Sequence, residues 1–99
     1  MPDGPDADVV RVSIPPDGGL SPVLEVAVGV LARRLRIDDA TIEVGRAAVG
    51  VAFVEVARGA GTEPVTIELR LAGDQLVVRL AAGGDERSVT VSAASGPSG

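Results

Sequence analysis

The sequence predicts an α/β (α+β) two-layer sandwich: a mostly antiparallel sheet with two helices on one face, in the order β-α-α-β-β-β. Three observations carry this. Residues 65–71 alternate apolar and polar side chains, the period of a half-buried strand. A second strand-like run, 75–81, follows directly after Gly73-Asp74, a tight hairpin turn. Between the first strand and this hairpin lie two segments whose apolar residues recur at three-and-four spacing, as on a helix with a buried stripe. A sheet with one polar face then needs its helices on the other.

Residues 1–8, with two Pro, one Gly and three Asp, read as a disordered acidic lead. Residues 9–14 alternate well enough for a strand, which Pro15-Pro16-Asp17-Gly18-Gly19 ends. The first helix is expected from Ser21, as N-cap, with Pro22 at the first helical position. Leu24, Ala27, Val28, Leu31 and Leu35 give its buried stripe. Arg33, Arg34 and Arg36 close it, where cations complement the helix dipole.

The second helix is expected over 38–58, capped by Asp38 or Asp39. Ile42, Ala47 or Ala48, Val51 and Val54 mark its expected buried face. Val44, Val49, Phe53 and Val56 spread the apolar surface almost all round. From Ala47 to Val54 no side chain can form a hydrogen bond. Gly45 and Gly50 each cost up to ~1 kcal/mol against Ala, and are expected to permit close approach of the first helix or the sheet. Residues 59–64 form a loop. Val65, Ile67, Leu69 and Leu71 face one way on the next strand, and Leu76, Val78 and Leu80 face the core from its partner. Gly83-Gly84-Asp85-Glu86 turns the chain into a last strand, 87–91. Residues 92–99 read as a flexible tail, so 9–91 is one domain.

Composition narrows the chemistry. The 99 residues are 45% apolar, enough for a core, but Phe53 is the only aromatic. A core of Val, Leu, Ala and Ile packs with small pieces, so modest stability is expected unless a partner covers more surface. There is no Cys, His or Lys, and all nine basic residues are Arg. That excludes disulfides, thiol and Schiff-base chemistry, a P-loop and the commonest general base. It also leaves Ser13, Ser21 and Ser88 without the His of the usual triad. Such Arg-only, Ala/Gly/Val-rich usage is typical of a GC-rich genome. A net charge of −5 argues against nucleic acid. No uncharged run approaches the ~20 apolar residues of a membrane-spanning helix. The acidic lead is the opposite of a signal peptide, so a cytoplasmic protein is expected.

Other acidic groups have plain explanations. Asp38-Asp39 caps a helix, Asp85-Glu86 lies in a turn, and Asp3, Asp6 and Asp8 fall in a lead without calcium-loop spacing.

The succession of strand, Pro-rich turn, helix ending Ala-Arg-Arg-Leu, Asp-Asp start, Ala/Val helix, Gly-rich loop and Gly-Asp-Gln-Leu-Val-Val-Arg-Leu hairpin resembles the front part of the histidine-kinase-like ATPase fold. The bacterial anti-sigma serine kinases are the branch it resembles most, over roughly Val9 to Gly84. The resemblance implies a Glu on the second helix as base and, four residues later, an Asn that ligates the magnesium of ATP. Here Gly50 and Val54, or in the shifted register Val51 and Glu55, stand at those places. The family's adenine-reading Asp is replaced by Ala81 or Ala82, and the lid and second Gly-rich box are missing. Phosphoryl transfer needs a metal anchor and a positioning base. No catalytic residue, cofactor or metal is therefore assigned, and Glu55, Gly83 and Gly84 are weak candidates for a nucleotide remnant.

The expected function is a non-catalytic protein-interaction and regulatory domain, degenerate from an anti-sigma kinase. Its expected partner is a sigma factor, an antagonist of the sulfate-transporter/anti-sigma-antagonist type, or a second copy. Val49, Phe53, Val56, Arg33, Arg34 and Arg36 are its candidate interaction residues, with the short last strand beside them. The alternatives are residual nucleotide binding at Glu55 and the Gly83-Gly84 turn, or a small anion-binding domain using Arg33, Arg34 or Arg36.

Overall fold

A computed structural model describes residues 8–92. The acidic lead and the tail lie outside these residues except at Asp8 and Ser92, which close the first and last strands. The order is β1 (Asp8–Ile14), a 3-10 turn (Gly18–Leu20), α1 (Ser21–Arg34), α2 (Asp39–Gly59), β2 (Val65–Ala72), β3 (Gln75–Ala82) and β4 (Asp85–Ser92). The expected β-α-α-β-β-β sandwich is present. Its single sheet is antiparallel throughout, in the spatial order β1-β2-β3-β4.

Turn chemistry sets the strand lengths. Ala72 pairs with Gln75 across Gly73-Asp74, and Ala82 pairs with Asp85 across Gly83-Gly84. Gly83 and Gly84 have φ of 59° and 89°, the two positive values of a two-residue hairpin turn that follows the sheet's twist. Only two residues turn, so Asp85 and Glu86 join β4, which begins earlier than expected.

The helix termini follow local hydrogen bonding. Ser21 is the first helical residue rather than the cap. The cap position is Leu20, which has no side-chain acceptor, and Asp17 instead caps the preceding 3-10 turn by accepting from the Gly19 N–H at 2.9 Å. Asp38 caps α2 as expected. It accepts from the Thr41 N–H at 3.1 Å and the Thr41 hydroxyl at 2.7 Å, and these bonds hold its carboxyl below the usual range. At the end of α1, Ile37 and Arg36 donate N–H bonds to the carbonyls of Ala32 and Arg33. This Schellman closure places Arg36 at φ 61°, a left-handed position that usually belongs to glycine.

The core lies between the helices and one sheet face. Ile67, Leu69, Leu76, Val78, Leu80 and Val91 come from the sheet, and Leu24 and Val28 from α1. Helix α2 contributes Ile42, Val49, Phe53 and Val56. This corrects the phase expected for α2. Ala47 is exposed, Ala48 and Val54 are half-buried, and Val51 is 59% exposed. Both faces of α2 are apolar, so hydropathy alone cannot choose between them. Shape chooses. Phe53 needs the deepest site, and Gly45 lets the backbone settle on β4. A Cβ at Gly45 would stand 2.5 Å from Val91 Cγ2. Gly50 faces α1 instead, where a Cβ would overlap the Glu25 carboxylate. The two glycines thus serve two different neighbours, as their five-residue spacing allows.

A candidate docking face at the α1–β1 edge

Two of the sequence-derived candidate groups change meaning in the fold. Val49, Phe53 and Val56 are fully buried against the sheet, so they build the core and offer nothing to a partner. Their apolar character is plain in the sequence, but the direction they face depends on the helix phase. Arg33, Arg34 and Arg36 are exposed around the C-terminal end of α1. They carry positive charge there.

The α2 positions at which the resemblance expects a Glu and an Asn fall together. Gly50, Val51, Val54 and Glu55 line a depression between α1 and α2, opposite Ser21 and Glu25. Gly50 and Val54 present no ligand atom there. Glu55 is held by Arg87 of β4, whose Nε donates to its Oε1 at 3.4 Å. Gly83 packs beside the Gly59 carbonyl, at 3.2 Å from where a Cβ would stand, and Gly84 has nothing near it. The glycine pair therefore makes a turn that abuts the end of α2. Among the described residues no three acidic side chains gather as metal ligands. No helix among them is long and apolar enough to cross a membrane.

The sheet face away from the helices carries a closed charge network. Arg11, Glu68 and Arg79 lie side by side on β1, β2 and β3 through the pairing register. Arg11 donates to Glu68 Oε2 from Nη2 at 2.8 Å and from Nε at 3.2 Å. Arg70 and Arg79 each stand 3.8 Å from Glu68, and Arg79 also bonds Glu86 at 2.5 Å. Arg11, first of all, holds the Glu68 carboxyl below its usual range, while Glu86 raises Arg79. Each charge has a partner, so this face is stitched together rather than poised to capture an ion.

The uncompensated surface lies elsewhere. Helix α2 settles on β4 at Gly45 and Val91, while α1 leans on α2 through Gly50 and Glu25 and through Gly29 and the Arg46 stem. The far flank of α1 stands off β1. The gap is a cleft of about 280 Å³ whose lining includes Val10, Val12, Ile14, Val23, Ala27 and Leu31, with no charged residue in it. Among the described residues seven large apolar side chains are exposed, and three of them, Val10, Val12 and Val23, line this cleft. Val26 and Val30 lie elsewhere on α1, and Val44 and Val51 on α2. β1 is also the terminal strand of the sheet, with no strand paired on its outer side among the described residues. An apolar cleft beside an unpaired strand is a surface that another chain can extend and cover.

One signal in the sequence pointed here. In α1, Val23, Val26 and Val30 repeat at three-and-four spacing beside the buried Leu24 and Val28 and the half-buried Leu31. The helix is thus apolar over more than the stripe its own core can use. No known family model and no curated protein matches the chain.

Proposed function

We propose that this chain is a non-catalytic protein-interaction domain that binds through the α1–β1 edge. The observation that carries the reading is the uncharged cleft between Val10–Ile14 and Val23–Leu31, lined by the exposed Val10, Val12 and Val23. Binding there removes apolar surface from water, at roughly 25 cal/mol per Å² before the costs of association. The order of elements and the hairpin support a regulator resembling a bacterial anti-sigma factor without its ATP site. Its partner class is then a sigma factor or an anti-sigma antagonist, met in the cytoplasm. The absence of catalysis is supported by Gly50 and Val54 at the family's Glu and Asn places, and by the engagement of Glu55 with Arg87.

Affinity capture with the full chain and its Val23→Asp variant tests this. Val23 lines the cleft and is 61% exposed, so the variant keeps its fold, as circular dichroism can verify. The reading expects a protein held by the wild type and lost by the variant, and no calorimetric heat with magnesium-ATP. Equal capture by both chains, or saturable nucleotide binding, contradicts it.

A further inference from the structure

We propose that the α1–β1 cleft takes an extended segment of a different protein, added to the sheet as a strand antiparallel to β1. The segment has apolar residues at alternate positions, a basic residue at its N-terminal end and acidic residues at its C-terminal end. This rests on the reading of that edge as a docking face and names the chemistry of its occupant. β1 is the terminal strand, and the backbone groups it does not bond to β2 turn outward. Pro15, which has no N–H, ends that ladder just past Ile14. A helix laid in the same cleft would leave these groups unpaired, whereas a strand pairs them. Antiparallel addition continues the three strand pairs already present and is the more stable mode per residue.

The two faces of β1 set the pattern. Directly opposed residues of antiparallel strands share a face. Positions opposite Val10, Val12 and Ile14 therefore enter the cleft, whose lining has no charged residue, and burial there requires apolar side chains. Positions opposite Arg11 and Ser13 lie on the open sheet face, where Arg11 bonds Glu68. Thr or Ser suits them, while Lys or Arg would face a like charge at Arg11. The two ends of the cleft set the direction. The short connection from Ile14 to Ser21 turns α1 back along β1, so Arg33 and Arg34 lie toward the start of β1 and Asp17 lies past its end. Among the described residues no carboxylate pairs with Arg33, Arg34 or Arg36. These three guanidinium groups outnumber Asp8, the one carboxylate that β1 itself carries. An antiparallel strand runs from the Asp17 end to the arginine end, so complementary charge is basic first and acidic last.

Two end-blocked peptides of one composition test this on the full chain, with binding followed by amide resonances. They are Lys-Val-Thr-Val-Thr-Val-Asp-Asp and its charge-swapped form Asp-Asp-Val-Thr-Val-Thr-Val-Lys. The first is expected to bind with a Kd below about 1 mM, to shift β1, and to be extended when bound. The second is expected to bind roughly 10-fold or more weakly. Arg33 and Arg34 are exposed, so a double Arg33→Glu, Arg34→Glu variant is expected to keep its fold by circular dichroism and to reverse the preference. Val12→Lys sets a charge in the cleft and is expected to weaken the first peptide by roughly 10-fold or more. Equal affinity for both peptides, an unreversed preference in the double variant, or a bound peptide that is helical overturns the proposal. So does a chain whose mass doubles by light scattering and that then excludes both peptides, which makes a second copy the occupant. No peptide binding up to about 1 mM, beside a captured protein that Val23→Asp still releases, removes the extended strand as occupant and leaves the docking reading standing.

Discussion

The two flanks of this domain are finished differently. On the α2–β4 flank the helix lies down on the sheet. Gly45 removes the side chain that would hold it off Val91, Phe53 and Val56 fill the space beneath, and Glu55 reaches across to Arg87. The outer strand there begins with Asp85, Glu86 and Arg87, charges that blunt an edge against further pairing. On the α1–β1 flank the helix stands off the strand, the cleft stays open, and the edge strand lines it with Val10 and Val12 while its Arg11 bonds Glu68 on the other sheet face. The same small vocabulary of Val, Ala, Leu and Ile makes a closed core on one side and an unfilled surface on the other. What differs is the placement of glycine and charge. The first flank carries the fold, and the second is the one available for binding.

Substitutions on the closed flank should have the largest effects. Phe53→Ala empties the largest buried site and is expected to cost about 3–5 kcal/mol in chemical denaturation, enough to unfold much of a domain this small. A cost below that of a surface substitution would mean that α2 is not anchored at this point. Gly45→Val forces a branched side chain against Val91, and overpacking of this kind costs about 1–3 kcal/mol. A neutral Gly45→Val would show that α2 can lift from β4 freely, which erases the contrast between the flanks.

Smaller effects refine the comparison. Arg36→Gly relieves the left-handed position at φ 61° and should raise stability by about 1 kcal/mol, seen as a higher melting temperature. The open sheet face should respond to acid. The Glu68 carboxyl titrates lower in the folded chain than in the unfolded one. Its contribution is therefore complete above the unfolded value of about 4.3 and is lost as pH falls through the folded value. Glu68→Gln should flatten the loss of melting temperature across that acid window, and an unchanged slope would assign the acid response to other carboxyls. On the open flank, Val26→Ser should change stability by less than about 0.5 kcal/mol in the same denaturation assay. A large loss there would mean that the valine stripe serves the core after all.

Most of the architecture was legible. The alternation over 65–71, the Gly73-Asp74 turn and the Asp38 cap each have one physical solution, and the sheet and helix order follow from them. The phase of α2 was not legible, because Val51 and Val49 are equally apolar and only the shapes of Phe53, Gly45 and Val91 decide which turns inward. The opposite phase puts the expected surface on Val49, Phe53 and Val56, which are buried. The stand-off of α1 from β1 was also hidden, since it depends on how α2 holds α1 through Gly50 and Glu25. Val23, Val26 and Val30 were visible as excess apolar positions, but a surplus is recognised only once the core has been filled.

The most direct test is a titration with the apolar dye ANS, up to about 1 mM, followed by amide resonances. Concentration-dependent shifts are expected along β1, at Val10, Arg11, Val12 and Ser13, and on the outer stripe of α1, at Val23, Val26 and Val30. Resonances of β4 and of the solvent side of α2, Val51 among them, should stay fixed. Shifts confined to α2 and β4, or a spectrum unchanged across the whole series, would contradict the assignment of the α1–β1 edge as the open apolar surface of this domain.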